Sequence, residues 1–354
     1  MDQFAITLND AHIFRMTDDT GMFQHARFSL PNLTEGYTTD DNARALIMAV
    51  MLYEQGKKTT YLALVYRYLA FILHAQNENG VFRNFMTYGR QFTEKEGSED
   101  CFGRCLWALS FTQASSVMPH GIKEACAAAI LKALPNINNL FGLRGQAYAM
   151  IGLGHIEGSQ AEILLTGLAD SLISRFEHDA GDKDWQWFEN SLTYDNAVLP
   201  WALFVAYRRL RQAHMLRVAQ ESLQFFDKIS FRDGYFRAVG CKGWLLRGSK
   251  PTLYDEQPLE ASTAALAHLA AYEATGEQRM LELAQQSFAW YLGNNSQNEG
   301  LIDGETGGCL DGITAKGFNF NQGAESIIGY CIANLALAKY KTDFVGLERK
   351  VILR

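Results

Sequence analysis

Polar residues, many of them acidic and three of them arginines, recur where helix-like segments begin. Six such openings occur, at residues 38–44, 98–104, 144–146, 194–196, 254–258 and 321–325. Their carboxylates could transfer protons or bind hydroxyl groups, and an arginine could hold a neighbouring carboxylate ionised. N-capping is the plainer interpretation, because Ser, Thr, Asp and Asn satisfy the free amides of a first helical turn. Capping does not account for Arg44, Arg104 and Arg144, so both interpretations stay open.

The first opening carries the densest charge. Asp40 and Asp41 would begin a helix, with Arg44 one turn later and nearly on the face of Asp40. Glu99, Asp100 and Arg104 repeat the pattern in the second opening. Carboxylates and an arginine at this spacing can either shift the pKa of a catalytic carboxyl or form a structural ion pair.

Two later segments add candidate groups. The segment 185–190 holds Trp185, Trp187 and Glu189, and Tyr194 and Asp195 follow shortly. Flat aromatic faces beside carboxylates suit the apolar face and hydroxyl rim of a sugar ring, whereas core packing would explain one of the tryptophans.

The other segment is the fifth opening, in which Tyr254, Asp255 and Glu256 precede Pro258. Proline at the first helical position would leave these carboxylates in the loop above the helix. One carboxyl crowded by another has a raised pKa, as a general acid at neutral pH requires. Gln322 and Glu325 form a weaker case of the same kind.

The elements that must position these groups are almost all helical. Apolar spacing predicts helices at about 41–55, 60–76, 99–116, 121–134, 143–156, 160–178, 195–211, 214–228, 258–274, 277–293 and 322–341. The first helix of each pair is rich in small residues, as at 43–49 and 261–271, which suits a crowded inner ring. The pattern predicts an all-α fold, an (α/α)6 toroid whose inner helices all begin at one mouth.

We expect a single domain over 1–354, with the tail a candidate for the twelfth helix. An irregular N-terminal arm at 1–35 should turn at 18–21. The loops at about 77–98, 179–193, 229–256 and 294–320 precede polar openings, and loops of this length are usually functional.

Composition excludes several functions. A net charge of −7 argues against a nucleic-acid partner. Residues 1–10 lack the features of a signal peptide, and the longest apolar run, 45–53, is too short to cross a bilayer. Six scattered cysteines indicate a reducing compartment, so we expect a cytoplasmic protein. Dinucleotide, phosphate-loop, EF-hand and zinc spacings are missing, so we predict neither a cofactor nor a metal.

Helical hairpins with acidic openings, together with the 185–190 loop, resemble the six-hairpin glycosidase class of (α/α)6 barrels over nearly the whole chain. Residues 17–26 and 36–46 are similar to a bacterial family labelled glycosyltransferase-associated or glycosidase-like, over about the first 50 residues. The resemblance implies a carbohydrate ligand and glycoside hydrolysis, with inversion as the usual stereochemistry.

Our leading hypothesis from the sequence is therefore a metal-independent glycoside hydrolase acting on short oligosaccharides. An inverting mechanism needs two carboxyls about 6.5–9.5 Å apart. We predict Asp255 or Glu256 as the acid and Asp41 or Asp100 as the base, with Asp195 and Glu189 in reserve. The expected substrate-binding residues are Tyr37, Asp40, Arg44, Glu99, Arg104, Arg144, Trp185, Trp187, Glu189, Tyr194, Tyr254, Gln322 and Glu325.

Two alternatives remain. Sugar epimerases of similar shape rely on histidines at the barrel mouth, and no histidine stands in a helix-opening motif here. A non-catalytic sugar-binding partner of another glycan enzyme is the third hypothesis. A homo-oligomer is compatible with the sequence, which specifies neither the sugar nor the linkage.

Overall fold

The computed structural model describes residues 8–180 and 184–340. Within them lie twelve α-helices: α1 (Ala11–Arg15), α2 (Thr39–Gly56), α3 (Thr59–Ala75), α4 (Glu99–Ala114), α5 (His120–Ala133), α6 (Leu143–Leu153), α7 (Ser159–Asp179), α8 (Val198–Leu210), α9 (Ala213–Ser230), α10 (Pro258–Thr275), α11 (Gln278–Ala289) and α12 (Ala324–Leu337). All eleven predicted helices are confirmed, with ends that differ by a few residues.

Six helices, α2, α4, α6, α8, α10 and α12, form a closed inner ring. Each packs against the next, and α12 returns to pack against α2. Small residues allow the close approach: a Cβ added to Gly103 of α4 would lie 2.6 Å from the Gly145 carbonyl oxygen of α6. The predicted all-α (α/α)6 toroid is therefore confirmed.

Helices α3, α5, α7, α9 and α11 pack outside the ring against the inner helices that precede them. The tail, predicted as a candidate twelfth helix of the toroid, lies outside the described residues from 341 onward.

The N-terminal arm crosses the seam between the first and last hairpins. The Tyr61 hydroxyl of α3 donates to Asp10 at 2.6 Å, and the His12 ring lies 2.8 Å from the Gln322 carbonyl oxygen. The predicted turn at 18–21 is present, because the Asp18 amide donates to the Gly21 carbonyl at 3.1 Å. Helix α1 was not predicted, since five residues are too few to show a helical period.

Short antiparallel strand pairs join the arm and the long loops. They are β1 (Ala26–Arg27) with β2 (Leu30–Pro31), β3 (Tyr37–Thr38) with β4 (Phe85–Met86), β5 (Ser191–Leu192) with β6 (Leu245–Leu246), and β7 (Gly312–Thr314) with β8 (Gly317–Asn319). The β3–β4 pair fastens the residues just before α2 to the 77–98 loop. The paired segments therefore support the inner-helix openings.

None of the helices in the described part of the chain combines the length and apolarity needed to cross a membrane. All six cysteines are free thiols; Cys241 is half-buried and the other five are buried.

Candidate active site

The inner helices begin at one end of the ring, as side-chain contacts between their openings demonstrate. Arg44 of α2 contacts Glu325 of α12, and Arg104 of α4 contacts Asp40. Farther round the ring, Glu260 of α10 accepts hydrogen bonds from Asn196, just before α8. The common mouth predicted from the repeated openings is thus present.

A cavity of about 350 Å³ opens at this mouth, beside the seam where α12 meets α2. It is strongly polar. Its lining residues are Gln24, His25, Asp40, Asp41, Arg44, Gln257, Pro258, Asp311, Asn319, Gly323, Glu325 and Ser326. Of the predicted site residues, Asp40, Asp41, Arg44 and Glu325 are brought together here.

Asp41 is held at the cavity by the start of its own helix. Its side chain accepts a hydrogen bond from the Thr38 hydroxyl at 2.6 Å, and the residue is only 4 % exposed. Arg44 donates through Nη2 to Asp41 at 2.7 Å and through Nη1 to Glu325 at 3.1 Å. One guanidinium therefore orients two carboxylates on what we call the helix wall of the cavity (Asp41, Arg44 and Glu325).

The two adjacent aspartates have opposite electrostatic environments. Burial and the neighbouring charge of Asp40 raise the pKa of Asp41 to about 7, although Arg44 favours its ionised form. Burial also acts to raise the pKa of Asp40, but the charges of Arg104 and Arg44 outweigh it and hold that pKa below its usual value. Asp40 therefore stays ionised, whereas Asp41 can gain or lose a proton near neutral pH.

A buried network underlies this arrangement. Arg104 donates to Asp40 at 2.8 Å and to Asp195 at 3.4 Å. Asp195, which has no exposed surface, also accepts hydrogen bonds from the Tyr148 hydroxyl and from Thr263. Asp195 is thus placed to orient Arg104 rather than to meet a ligand in the cavity.

Glu260, in the first turn of α10, completes this network. Its carboxylate accepts from the Asp195 and Asn196 amides and from the Asn196 side chain. Burial and the Asp195 charge raise the pKa of Glu260 to about 7. It ties the opening of α8 to that of α10.

Other predicted residues form a second cluster at the mouth, around α4, α6 and the segment before α8. Arg144 donates to Glu189 at 3.0 Å, to the Tyr194 carbonyl at 2.6 Å and to Thr193 at 2.9 Å. Tyr194 donates its hydroxyl to Asp100. We call Asp100, Arg144, Glu189, Thr193 and Tyr194 the α6 cluster. Its charged groups are engaged with one another, and none of them lines the cavity.

Glu99 has a structural position beside this cluster. Its carboxylate accepts hydrogen bonds from the amides of Phe141 at 2.9 Å and Gly142 at 2.5 Å. These amides precede α6, so Glu99 supplies the N-terminal acceptor that α6 itself lacks.

The two tryptophans of the 185–190 loop are packed in the core. Trp187 is 0 % exposed and contacts Phe188, Phe225 and Phe226. Trp185 packs on Phe225 and donates its indole N–H to the Glu189 carbonyl. Neither presents a ring face to the cavity.

The predicted acid segment lies outside the cavity as well. Glu256 is 0 % exposed; it accepts from Trp290 at 2.9 Å and from Ser296, and burial raises its pKa. Asp255 pairs with exposed Lys242 at 3.3 Å, and Tyr254 lies under the Arg237 guanidinium.

Two remaining predicted binding residues support the walls. Tyr37 is buried and donates to Asp18 at 2.6 Å. Gln322 is buried and donates to Asp303 at 2.9 Å while accepting from Thr306.

Several cavity residues were not predicted from the sequence, among them Gln24, His25, Asp311 and Ser326. Asp311 accepts from the Gly323 amide at 2.7 Å and from Ser326 at 2.6 Å, and burial raises its pKa. His25 belongs to the 17–26 segment, whose distinctive sequence was its only signal. In residues 8–180 and 184–340, no group of three His, Cys, Asp or Glu side chains could hold a metal ion.

The class of fold defined by this architecture is the (α/α)6 barrel, which the carbohydrate-active enzymes named below share. A sugar epimerase from a ruminal bacterium has a similar structure, with a TM-score of 0.75, 13 % identity, and coverage of 95 % of this chain and 98 % of that one. Cellobiose 2-epimerase from Bacillus thermoamylovorans matches with a TM-score of 0.73 and 11 % identity, over 94 % and 96 % of the two chains. The GH76 α-mannanase from Bacteroides thetaiotaomicron matches with a TM-score of 0.60 and 12 % identity, over 87 % of each chain.

Comparison of the sequence with family models and with curated proteins finds no match. The similarity of residues 17–26 and 36–46 to a glycosyltransferase-associated family therefore gains no support. At these low identities, the structural likeness defines the fold alone.

Proposed function

We propose that this chain is an enzyme that epimerises or isomerises a reducing sugar by moving the proton at C2. The observation that carries the proposal is Asp41, a buried carboxyl with a pKa of about 7 that faces a polar cavity beside Arg44. A general base works best when its pKa lies near the working pH. The epimerase folds cited above support this reaction over hydrolysis.

The chemistry follows from the charges on the helix wall. Ionised Asp41 would take the proton from the carbon next to the open-chain carbonyl, and the electron pair would pass to the carbonyl oxygen as an enediolate. Arg44, which is itself buried, supplies the compensating charge. Each Nη of a guanidinium carries two N–H groups. Within the described residues, Asp41 and Glu325 each engage one Nη, so donors remain for a substrate oxygen.

Hydrolysis, the leading hypothesis from the sequence, is the second candidate. Glu325 favours it, because this carboxylate lies beside Asp41 on the same guanidinium and could serve as its catalytic partner. The acid first predicted, Asp255 or Glu256, does not line the cavity. A hydrolase would therefore use Asp41 and Glu325.

Proton NMR in D₂O separates these reactions. Purified protein would be incubated with glucose, mannose, cellobiose and mannobiose, with Asp41→Asn as the control. We expect deuterium at C2 and the signals of the C2 epimer or the ketose, both lost in the variant. Release of monosaccharides without deuterium at C2 would support hydrolysis instead. Saturable binding with neither product would support the non-catalytic hypothesis.

A further inference from the structure

Inversion at C2 requires a proton to leave one face of the carbon and another to arrive on the other face. Asp41 supplies one proton-transfer group. The other titratable residues that line the cavity are Asp40, Glu325, Asp311 and His25. Asp40 is paired with Arg104 and Glu325 with Arg44, while Asp311 accepts from Ser326 and the Gly323 amide. All three carboxylates, like Asp41, are therefore held by hydrogen-bond or ion-pair partners.

His25 differs from them. It is exposed, and within the described residues its imidazole makes no hydrogen bond or ion pair. A positive charge on this imidazole would favour the ionised form of Asp311. The imidazole is therefore available to a ligand.

The backbone around His25 is nevertheless fixed. The Gln24 amide donates to the Gly36 carbonyl at 3.0 Å, and the Gln24 carbonyl accepts from the Ala324 amide of α12 at 3.0 Å. The His25 carbonyl accepts from the Asn32 amide at 2.8 Å. These bonds hold the arm, and with it His25, at the opening of α12 beside the helix wall. The fixed backbone thus brings an imidazole with free ring nitrogens to the cavity, where it can contact a ligand.

We propose that His25 is the second proton-transfer residue, acting from the arm while Asp41 acts from the helix wall. This inference rests on the proposed epimerisation. Asp41 carboxylate accepts the C2 proton, and the C–H electron pair forms the enediolate. The His25 imidazolium then gives its proton to the other face of C2, and the oxyanion electrons restore the carbonyl. Asp41 ends protonated and His25 neutral, and exchange with water resets both groups.

The test is His25→Asn, assayed for net epimerisation and for deuterium uptake from each epimer separately. His120→Asn is the matched control, because the His120 side chain is 88 % exposed at the start of the outer helix α5. We expect His25→Asn to slow epimerisation by about 100-fold or more, the usual effect of losing a general acid or base. It should keep deuterium uptake from the epimer whose C2 proton faces Asp41. His120→Asn should behave like the wild type, and melting temperatures should match throughout.

Epimerisation by His25→Asn at the wild-type rate would overturn the inference, as would equal loss of exchange from both epimers. Failure of the proposed function is distinguishable, because the wild type itself would then show no C2 exchange with any sugar. In that case the role of His25 falls with the function on which it rests.

Discussion

The helix wall and the α6 cluster contain the same kinds of residue at inner-helix openings, yet only the helix wall lines the cavity at the seam. In the α6 cluster, Arg144 is engaged by Glu189, Thr193 and the Tyr194 carbonyl. On the helix wall, Arg44 holds Asp41 and Glu325 at the edge of an open cavity. The residue types at a helix opening therefore do not define a site. A site needs free N–H donors on the guanidinium and a neighbouring carboxyl whose pKa is raised by another carboxylate.

The largest expected contrast is between Asp41→Asn and Asp100→Asn. The first removes the proposed base and should lower kcat/KM by about 10²- to 10⁴-fold. The second removes only the charge of the Tyr194 acceptor, because the asparagine carbonyl oxygen can still accept, and should change turnover little. Steady-state kinetics with the sugar found in the NMR assay would measure both. Similar losses in the two variants would mean that the α6 cluster also contacts substrate.

Arg44 and Arg144 should also differ in their effect on turnover when each is replaced by lysine. Arg144→Lys should lower the free energy of unfolding by about 2 kcal/mol, because lysine cannot replace three directed contacts to a buried guanidinium. Its folded fraction should keep normal specific activity. Arg44→Lys should lose turnover in the folded fraction as well. Denaturant unfolding and active-fraction kinetics test this, and comparable activity losses would contradict the comparison.

A change in pH dependence should follow from Asp40→Asn. The groups around Asp41 are Asp40, Arg44, Glu325 and Thr38, and the Asp40 charge helps raise the pKa of Asp41 to about 7. If Asp41 acts as a base, kcat/KM falls as the pH drops below about 7. Removing the Asp40 charge lowers the pKa of Asp41. The acidic limb, which is the fall of kcat/KM at low pH, should therefore move down by about one pH unit. Asp100→Asn serves as the control, and an unmoved or raised limb in Asp40→Asn would exclude Asp41 as the titrating base.

The smallest expected effect is that of Asp255→Asn. Asp255 pairs with exposed Lys242 outside the cavity, and such surface pairs contribute little to stability. We expect turnover and melting temperature close to the wild type. A loss comparable to that of Asp41→Asn would restore Asp255 as the acid of a hydrolase.

The fold could be predicted because it depends on local periodicity. Apolar spacing located eleven helices, and the small residues of the first helix in each pair identified the inner ring. The two-residue strand pairs have no such signal, because their partners lie far apart in sequence, as with Tyr37 and Met86. Helix α1 is likewise too short to show a pattern.

The site residues could be predicted only where they lie at the start of the same helix. Asp40, Asp41 and Arg44 occupy one opening, so their proximity follows from the helix itself. His25 and Asp311 lie in irregular segments, and contacts such as the one between Gln24 and Ala324 bring them to the cavity. Trp187 illustrates the reverse error: its residue type suits sugar stacking, but its complete burial assigns it to the core.

The location of the cavity at the ring's seam has a consequence for the newly made chain. Arg44 and Glu325 are 281 residues apart in sequence, and their contact forms only when the last inner helix packs against the first. During synthesis on a ribosome, Asp41 emerges before α12 and lacks one side of its cavity until α12 has been released. Translation halted before α12 should therefore leave a helical nascent chain without the paired carboxylates of the helix wall.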